Sequence, residues 1–163
     1  MLTELTQFVP TQVCLSCDGC CRFQDEKSIW RPQAAPEEAK PLTKDIASDG
    51  RLKTGCVHGE EQCVFFNRDD RACRIYPTRP FECRLYPFVL YKKDKAIVVA
   101  AHRSCPYVQE KGAGSEAAEY IEYLRKYFQQ PDVEAFLRNN SALATDYSEY
   151  KNELQELFTI VLD

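Results

Sequence analysis

The sequence predicts an α+β fold, irregular and cysteine-rich at its front, and three stretches carry that prediction. Cys14-Leu15-Ser16-Cys17-Asp18-Gly19-Cys20-Cys21 packs four thiols into one loop spaced C-x2-C-x2-C-C. Phe88-Val89-Leu90-Tyr91 and Ala96-Ile97-Val98-Val99-Ala100-Ala101 flank the polar Lys92-Lys93-Asp94-Lys95, which is a β-hairpin signature. From Ser115 onward the apolar residues recur at helical spacing. At 163 residues the chain is about one domain, here taken as 1–163. It is read as a cysteine cluster core over 1–110 and a helical C-terminal segment over 111–163.

Taken in order, residues 1–13 are a short lead-in with one helical turn before Pro10. The cysteine loop follows, with Gly19 expected to let the backbone turn between ligands. Ser28-Ile29-Trp30-Arg31 reads as a strand that stops at Pro32. Ala35-Pro36-Glu37-Glu38-Ala39-Lys40 is one helical turn with proline at its start. Residues 41–62 are polar, carry Gly50, Gly55 and Gly59, and read as surface loop. Cys63-Val64-Phe65-Phe66 is a short apolar run suited to a buried strand, and 67–71 is a turn by composition.

Cys73-Arg74-Ile75-Tyr76-Pro77 and Cys83-Arg84-Leu85-Tyr86-Pro87 then repeat one pattern ten residues apart. Pro77, Pro80 and Pro87 exclude a continuous helix there. After the hairpin come His102, Arg103 and Cys105-Pro106. Ser115 is the expected N-cap of a helix with Ala117, Ala118, Ile121, Leu124 and Phe128 on one face. Pro131 starts a second helix through Leu137. A third is expected from Ser148, with Tyr150, Leu154, Leu157, Phe158 and Val161 along one side.

Composition narrows the function. Net charge is −4, so nucleic acid is not an expected partner. Residues 68–103 are the exception, with nine Lys/Arg against four Asp/Glu. Residues 1–13 show no signal-peptide pattern, and no run reaches the ~18 apolar residues a membrane helix needs. The expected location is therefore the cytoplasm, where clustered cysteines bind metal or react more often than they pair. A protein partner of unidentified kind is compatible with all of this.

Closely spaced thiols pack an apolar core poorly, but a two-residue spacer turns successive sulfurs toward one point. Soft thiolate then selects zinc, cuprous copper or iron–sulfur. Cys14, Cys17 and Cys20 follow the three-residue steps of bacterial ferredoxins, where a remote Cys-Pro completes a four-iron cube, here Cys105-Pro106. The trans peptide between Cys20 and Cys21 is expected to hold their sulfurs apart, so that they serve different centres or one of them remains free. Cys21, Cys63, Cys73 and Cys83 would then form a second four-thiolate site, a vicinal Cys20–Cys21 disulfide being the competing reading. Zinc remains the alternative to a 4Fe-4S cluster throughout.

Four thiolates around Zn²⁺, or around an oxidised four-iron cube, carry a net charge of roughly −2. Arg71, Arg74, Arg79, Arg84, Arg103 and a protonated His102 are the candidate compensating charges, an ordinary solvated face being the plain alternative. Phe65, Tyr76, Phe81, Tyr86 and Phe88 are expected to pack around the site and limit solvent. His58 and His102 read as surface or supporting groups, and Cys56 stands outside the pattern.

The ordered set Cys14-x2-Cys17-x2-Cys20-Cys21, Cys63-Val-Phe-Phe, Cys73-Arg-Ile-Tyr-Pro-Thr-Arg-Pro-Phe-Glu-Cys83-Arg-Leu-Tyr-Pro-Phe and Cys105-Pro resembles the CxxCxxCC family. These are the YkgJ-like cysteine cluster proteins that chelate zinc or iron. The resemblance spans roughly 14–107. It implies eight ligand positions, carried onto Cys14, Cys17, Cys20, Cys21, Cys63, Cys73, Cys83 and Cys105, with Cys56 extra. Some relatives are lysine-N-methylases of flagellin that use S-adenosylmethionine with an iron–sulfur centre. This chain is shorter, and it has neither a glycine-rich nucleotide loop after a strand nor the C-x3-C-x2-C triad of radical enzymes. The expected function is a non-catalytic redox, sensing or accessory metalloprotein. The alternatives are an enzyme of the methylase branch and a zinc-stabilised interaction module.

Overall fold

The structure, a computed structural model, describes residues 1–17 and 19–162. The fold is mixed α+β, and the chain divides into two compact units, Val9–Arg84 and Met1–Phe8 with Leu85–Asp163.

The Val9–Arg84 unit is built from short elements. Helix α1 (Thr11–Ser16) follows Pro10 instead of preceding it, because Pro10 at ψ 144° is the extended residue from which the helix starts. A 3₁₀ turn (Gly19–Cys21) leads into β1 (Arg22–Phe23). The strand expected at 28–31 is a turn. The Ser28 hydroxyl accepts the Trp30 amide at 3.3 Å and the Ser28 carbonyl accepts the Arg31 amide at 3.3 Å, a local bonding that competes with strand pairing. Helix α2 (Pro36–Ala39) stands where proline placed it.

Residues 41–62 are more ordered than their polarity suggested. A 3₁₀ segment (Lys40–Asp45) is followed by β2 (Thr54–Val57) and β3 (Glu60–Cys63), paired antiparallel. His58 and Gly59 form the two-residue turn between them, with φ of 52° and 80°. Positive φ at both positions matches the twist of the flanking strands. The sheet order is β1-β3-β2. The run Cys63–Phe66 is not one strand, since Cys63 ends β3 and Phe66 opens β4 (Phe66–Asn67). β4 pairs with β5 (Ala72–Cys73) around the turn predicted at 67–71, of which Asn67 belongs to β4. Helix α3 (Phe81–Leu85) fits between Pro80 and Pro87. One apolar cluster holds Leu52, Cys63 and Phe66, with Cys21, Phe23, Leu42, Ile46, Phe65 and Cys83 packed against them, and Val9, Ala34, Ala35, Pro80 and Phe81 are buried as well.

The other unit has a larger apolar interior. Strands β6 (Phe88–Lys93) and β7 (Ala96–His102) form the expected hairpin, turning at Asp94-Lys95. Helix α4 (Pro106–Lys111) follows Cys105, then α5 (Ser115–Tyr127) and α6 (Pro131–Asn139). Gly114, not Ser115, is the N-cap of α5. Ala117, Leu124 and Phe128 are buried as predicted and Tyr127 joins them, whereas Ala118 is exposed. The N-terminal residues are tied to these helices. The Tyr127 hydroxyl donates to the Thr3 carbonyl at 3.0 Å, and Asp132 accepts the Thr3 amide at 2.6 Å.

The third helix is absent from its expected place. Ser148–Glu153 is a 3₁₀ segment and Leu154–Ile160 is a strand, β8, on the free side of β7. Its register with β7 slips between Val99↔Phe158 and Ala100↔Glu156, leaving Leu157 as a bulge. That extra residue moves Leu154 to one face of the sheet and Phe158 and Ile160 to the other. Leu154 and Phe158 are both buried, and their four-residue spacing is one that a helix shares. Both faces are covered at β7, where Val98 to His102 are all buried.

Candidate metal centre

Seven of the eight predicted ligands lie in the Val9–Arg84 unit, and local structure explains how each is presented. Cys14 sits in α1 and Cys17 caps it, its amide donating to the Cys14 carbonyl at 3.2 Å. Cys20 and Cys21 share the 3₁₀ turn before β1. Gly19 belongs to that turn without positive φ, and a Cβ there would meet the Cys17 sulfur at an ordinary 3.6 Å, so the loop does not depend on glycine freedom. Asp18 lies outside the described residues. Cys63 closes β3, Cys73 lies on β5 opposite Phe66, and Cys83 is on α3. The eighth, Cys105, is buried at the N-cap of α4 in the other unit.

Six sulfurs form one electrostatic neighbourhood. The Cys21 thiol is pushed far up by its contact with Cys20, by burial, and by the charges of Cys20, Cys63 and Cys83. Burial raises Cys63 to about 11, with Cys73 and Cys20 adding to it. Cys83 is held well up by burial and by Cys63, Cys20 and Cys73, and Cys73 is raised by burial and by Cys20 and Cys14. Only Arg79 among the named charges pulls Cys73 and Cys83 the other way. A cation inside the ring would reverse this balance, so loading it must release protons.

All nine cysteines are free thiols. Cys20 Sγ and Cys21 Sγ lie 3.9 Å apart, beyond a disulfide and closer than the peptide geometry was expected to allow. Tetrahedral zinc with bonds of ~2.3 Å has sulfurs about 3.8 Å apart along an edge. The pair's spacing is thus compatible with one tetrahedral edge. Among the described residues no three Cys, His, Asp or Glu side chains are drawn together as a closed ligand set. The donor chemistry fits a thiophilic ion nonetheless: soft sulfur, an apolar wall of Phe23, Leu52, Phe65 and Phe66, and an adjacent guanidinium.

The remaining candidates divide clearly. Cys56 is exposed on β2 opposite Glu61, away from the apolar core. His58 is a turn residue. His102 ends β7 in the other unit, its Nδ1 3.0 Å from the Tyr86 hydroxyl and its Nε2 3.5 Å from Glu153. Burial lowers it, with Glu153 opposing. Tyr86 and Phe88 likewise belong to that unit, Phe88 stacking on Tyr120 at 5.3 Å. Phe65 and Tyr76 stay with the cysteines.

Two carboxylates that sequence reading passed over anchor the helix carrying Cys83. Glu38 accepts the Ala35 amide at 3.0 Å with one oxygen and the Phe81 amide at 2.8 Å with the other. Glu82 accepts the Gln33 amide at 2.6 Å and is raised to about 7, chiefly by burial. The signal was slight: an acidic residue beside a cysteine, and another two after Pro36.

Among the described residues no helix is long and apolar enough to cross a membrane. Residues 13–106 match a family model, CxxCxxCC, described as a putative zinc- or iron-chelating domain. No curated protein and no solved structure matches the chain.

Proposed function

The chain belongs to the CxxCxxCC family of zinc- or iron-chelating domains, and from that premise we propose that it is a cytoplasmic, non-catalytic metalloprotein acting in redox transfer, sensing or as an accessory factor. The observation that carries this reading is the six-sulfur neighbourhood of Cys14, Cys20, Cys21, Cys63, Cys73 and Cys83, several pushed toward the neutral thiol by one another and by burial. Ionising those thiols is costly unless a cation resides among them, and a thiophilic metal supplies that charge. For Cys17 and Cys105 the support is the family pattern. The three-residue steps of Cys14, Cys17 and Cys20 favour an iron–sulfur cluster of the four-iron type. Zinc is the second reading, favoured by the 3.9 Å Cys20–Cys21 separation.

Anoxic purification followed by iron, zinc and acid-labile sulfide analysis tests the proposal. Iron and sulfide in equal amounts, with a broad absorption around 400 nm from sulfur-to-iron charge transfer, is the expected result. A colourless protein with stoichiometric zinc moves the assignment to the second reading. A metal-free, folded protein overturns both.

A further inference from the structure

The basic stretch holds several arginines, but the structure puts them to different uses. Arg68 binds Glu60 at 3.1 Å and the Val57 carbonyl at 3.2 Å. Arg74 donates to the Val64 carbonyl, and Arg84 lies 3.5 Å from Glu38. Arg79 faces sulfur. It is only 8% exposed, its guanidinium lies 3.8 Å over the Tyr76 ring, and its Nη1 is 3.6 Å from Cys14 Sγ. It also bears on Cys73 and Cys83, and so reaches thiols from α1, β5 and α3.

We propose that Arg79 is the built-in counter-charge of the metal centre, a positioning residue that holds Cys14 as a ligand and offsets the negative charge of the metal–thiolate group. The proposal rests on the metal-centre reading above. Burying a guanidinium is costly without a nearby anion, and a sulfur ligand carries the charge that answers it. Stacking on Tyr76 fixes the plane of the fork, so the N–H group stays aimed at Cys14 without further ordering. An N–H group directed at a ligating sulfur also draws electron density from it, which raises the potential of a redox centre.

The experiment is anoxic competition for zinc(II) between the protein and a chromophoric chelator, on the wild type, R79Q, R79K and R68Q. Loss of Arg79 charge in R79Q is expected to weaken zinc binding by roughly ten- to a hundredfold, as for other groups that orient metal ligands. R79K keeps the charge but loses the stacked, aimed fork, and is expected to bind zinc more weakly than wild type and more tightly than R79Q. R68Q removes an equal charge from a site away from sulfur and is expected to bind as wild type does. Should R79Q fail to fold, R79K and R68Q still decide the matter. R79K binding no better than R79Q, or R68Q binding no better than R79K, would overturn the counter-charge role. Wild type that binds no zinc and takes up no iron–sulfur cluster on anoxic reconstitution would instead sink the metal-centre reading, so the two failures are distinguishable.

Discussion

Stripping the metal with a strong chelator under anoxic, reducing conditions is expected to unfold the Val9–Arg84 unit and leave the other unit folded. The reason lies in how little else holds the first together. Its buried apolar side chains are few and mostly small, Leu52, Cys63 and Phe66 in one cluster besides Val9, Ala34, Ala35, Pro80 and Phe81, and its strands are two to four residues long. Elements that short do not persist without tertiary support. Structural zinc in small domains contributes about 10–16 kcal/mol of apparent binding free energy, which is folding free energy when no site exists in the unfolded chain. By contrast, Val99, Leu124, Val133, Leu137 and Phe128 are almost wholly buried in the second unit, and three strands of six or seven residues pair there. Hydrogen exchange separates the two cases. Amides of the β2–β3 hairpin should lose protection on chelation while those of β6 and β7 keep theirs. Protection that persists in β2 and β3 would show that apolar packing alone sustains the cysteine-bearing unit.

The second large effect belongs to single cysteines. Cys83→Ser replaces a soft ligand beside Cys63, Cys20 and Cys73 with a hard hydroxyl that does not ionise at neutral pH. Metal affinity is expected to fall by roughly a hundredfold or more, to the point that the purified variant carries little metal. Cys20→Ser should behave the same way, since Cys20 touches Cys21 and bears on Cys63, Cys73 and Cys83. Cys56→Ser should leave the metal content unchanged, because that side chain is exposed on β2. Metal per chain after anoxic purification is the readout. Full loading of C83S, or loss of metal in C56S, would contradict the ligand assignment.

How much of this was legible in the sequence depends on the range of the interaction. The β6–β7 hairpin and helices α5 and α6 were readable because alternation, helical period and proline position are local signals. β8 was misread as helix because its buried Leu154 and Phe158 are four apart, a spacing that strand and helix share. The β2–β3 hairpin was passed over because Thr54–Cys63 is polar and its turn pair, His58-Gly59, is not among the usual asparagine or aspartate signals. At the site, ligand type and candidate positions followed from cysteine spacing. Which arginine faces sulfur did not, since Arg74, Arg79 and Arg84 look alike along the chain. Their partners, Val64, Cys14 and Glu38, lie ten or more residues away. The same holds for Glu38 and Glu82, whose hydrogen bonds join α2 and the stretch before it to α3 across more than forty residues.

X-ray absorption at the metal edge of the anoxically purified protein tests the central claim most directly, because it counts the atoms around the ion. The account predicts an all-sulfur first shell of about four atoms near 2.3 Å from the metal. A first shell of nitrogen and oxygen would contradict it.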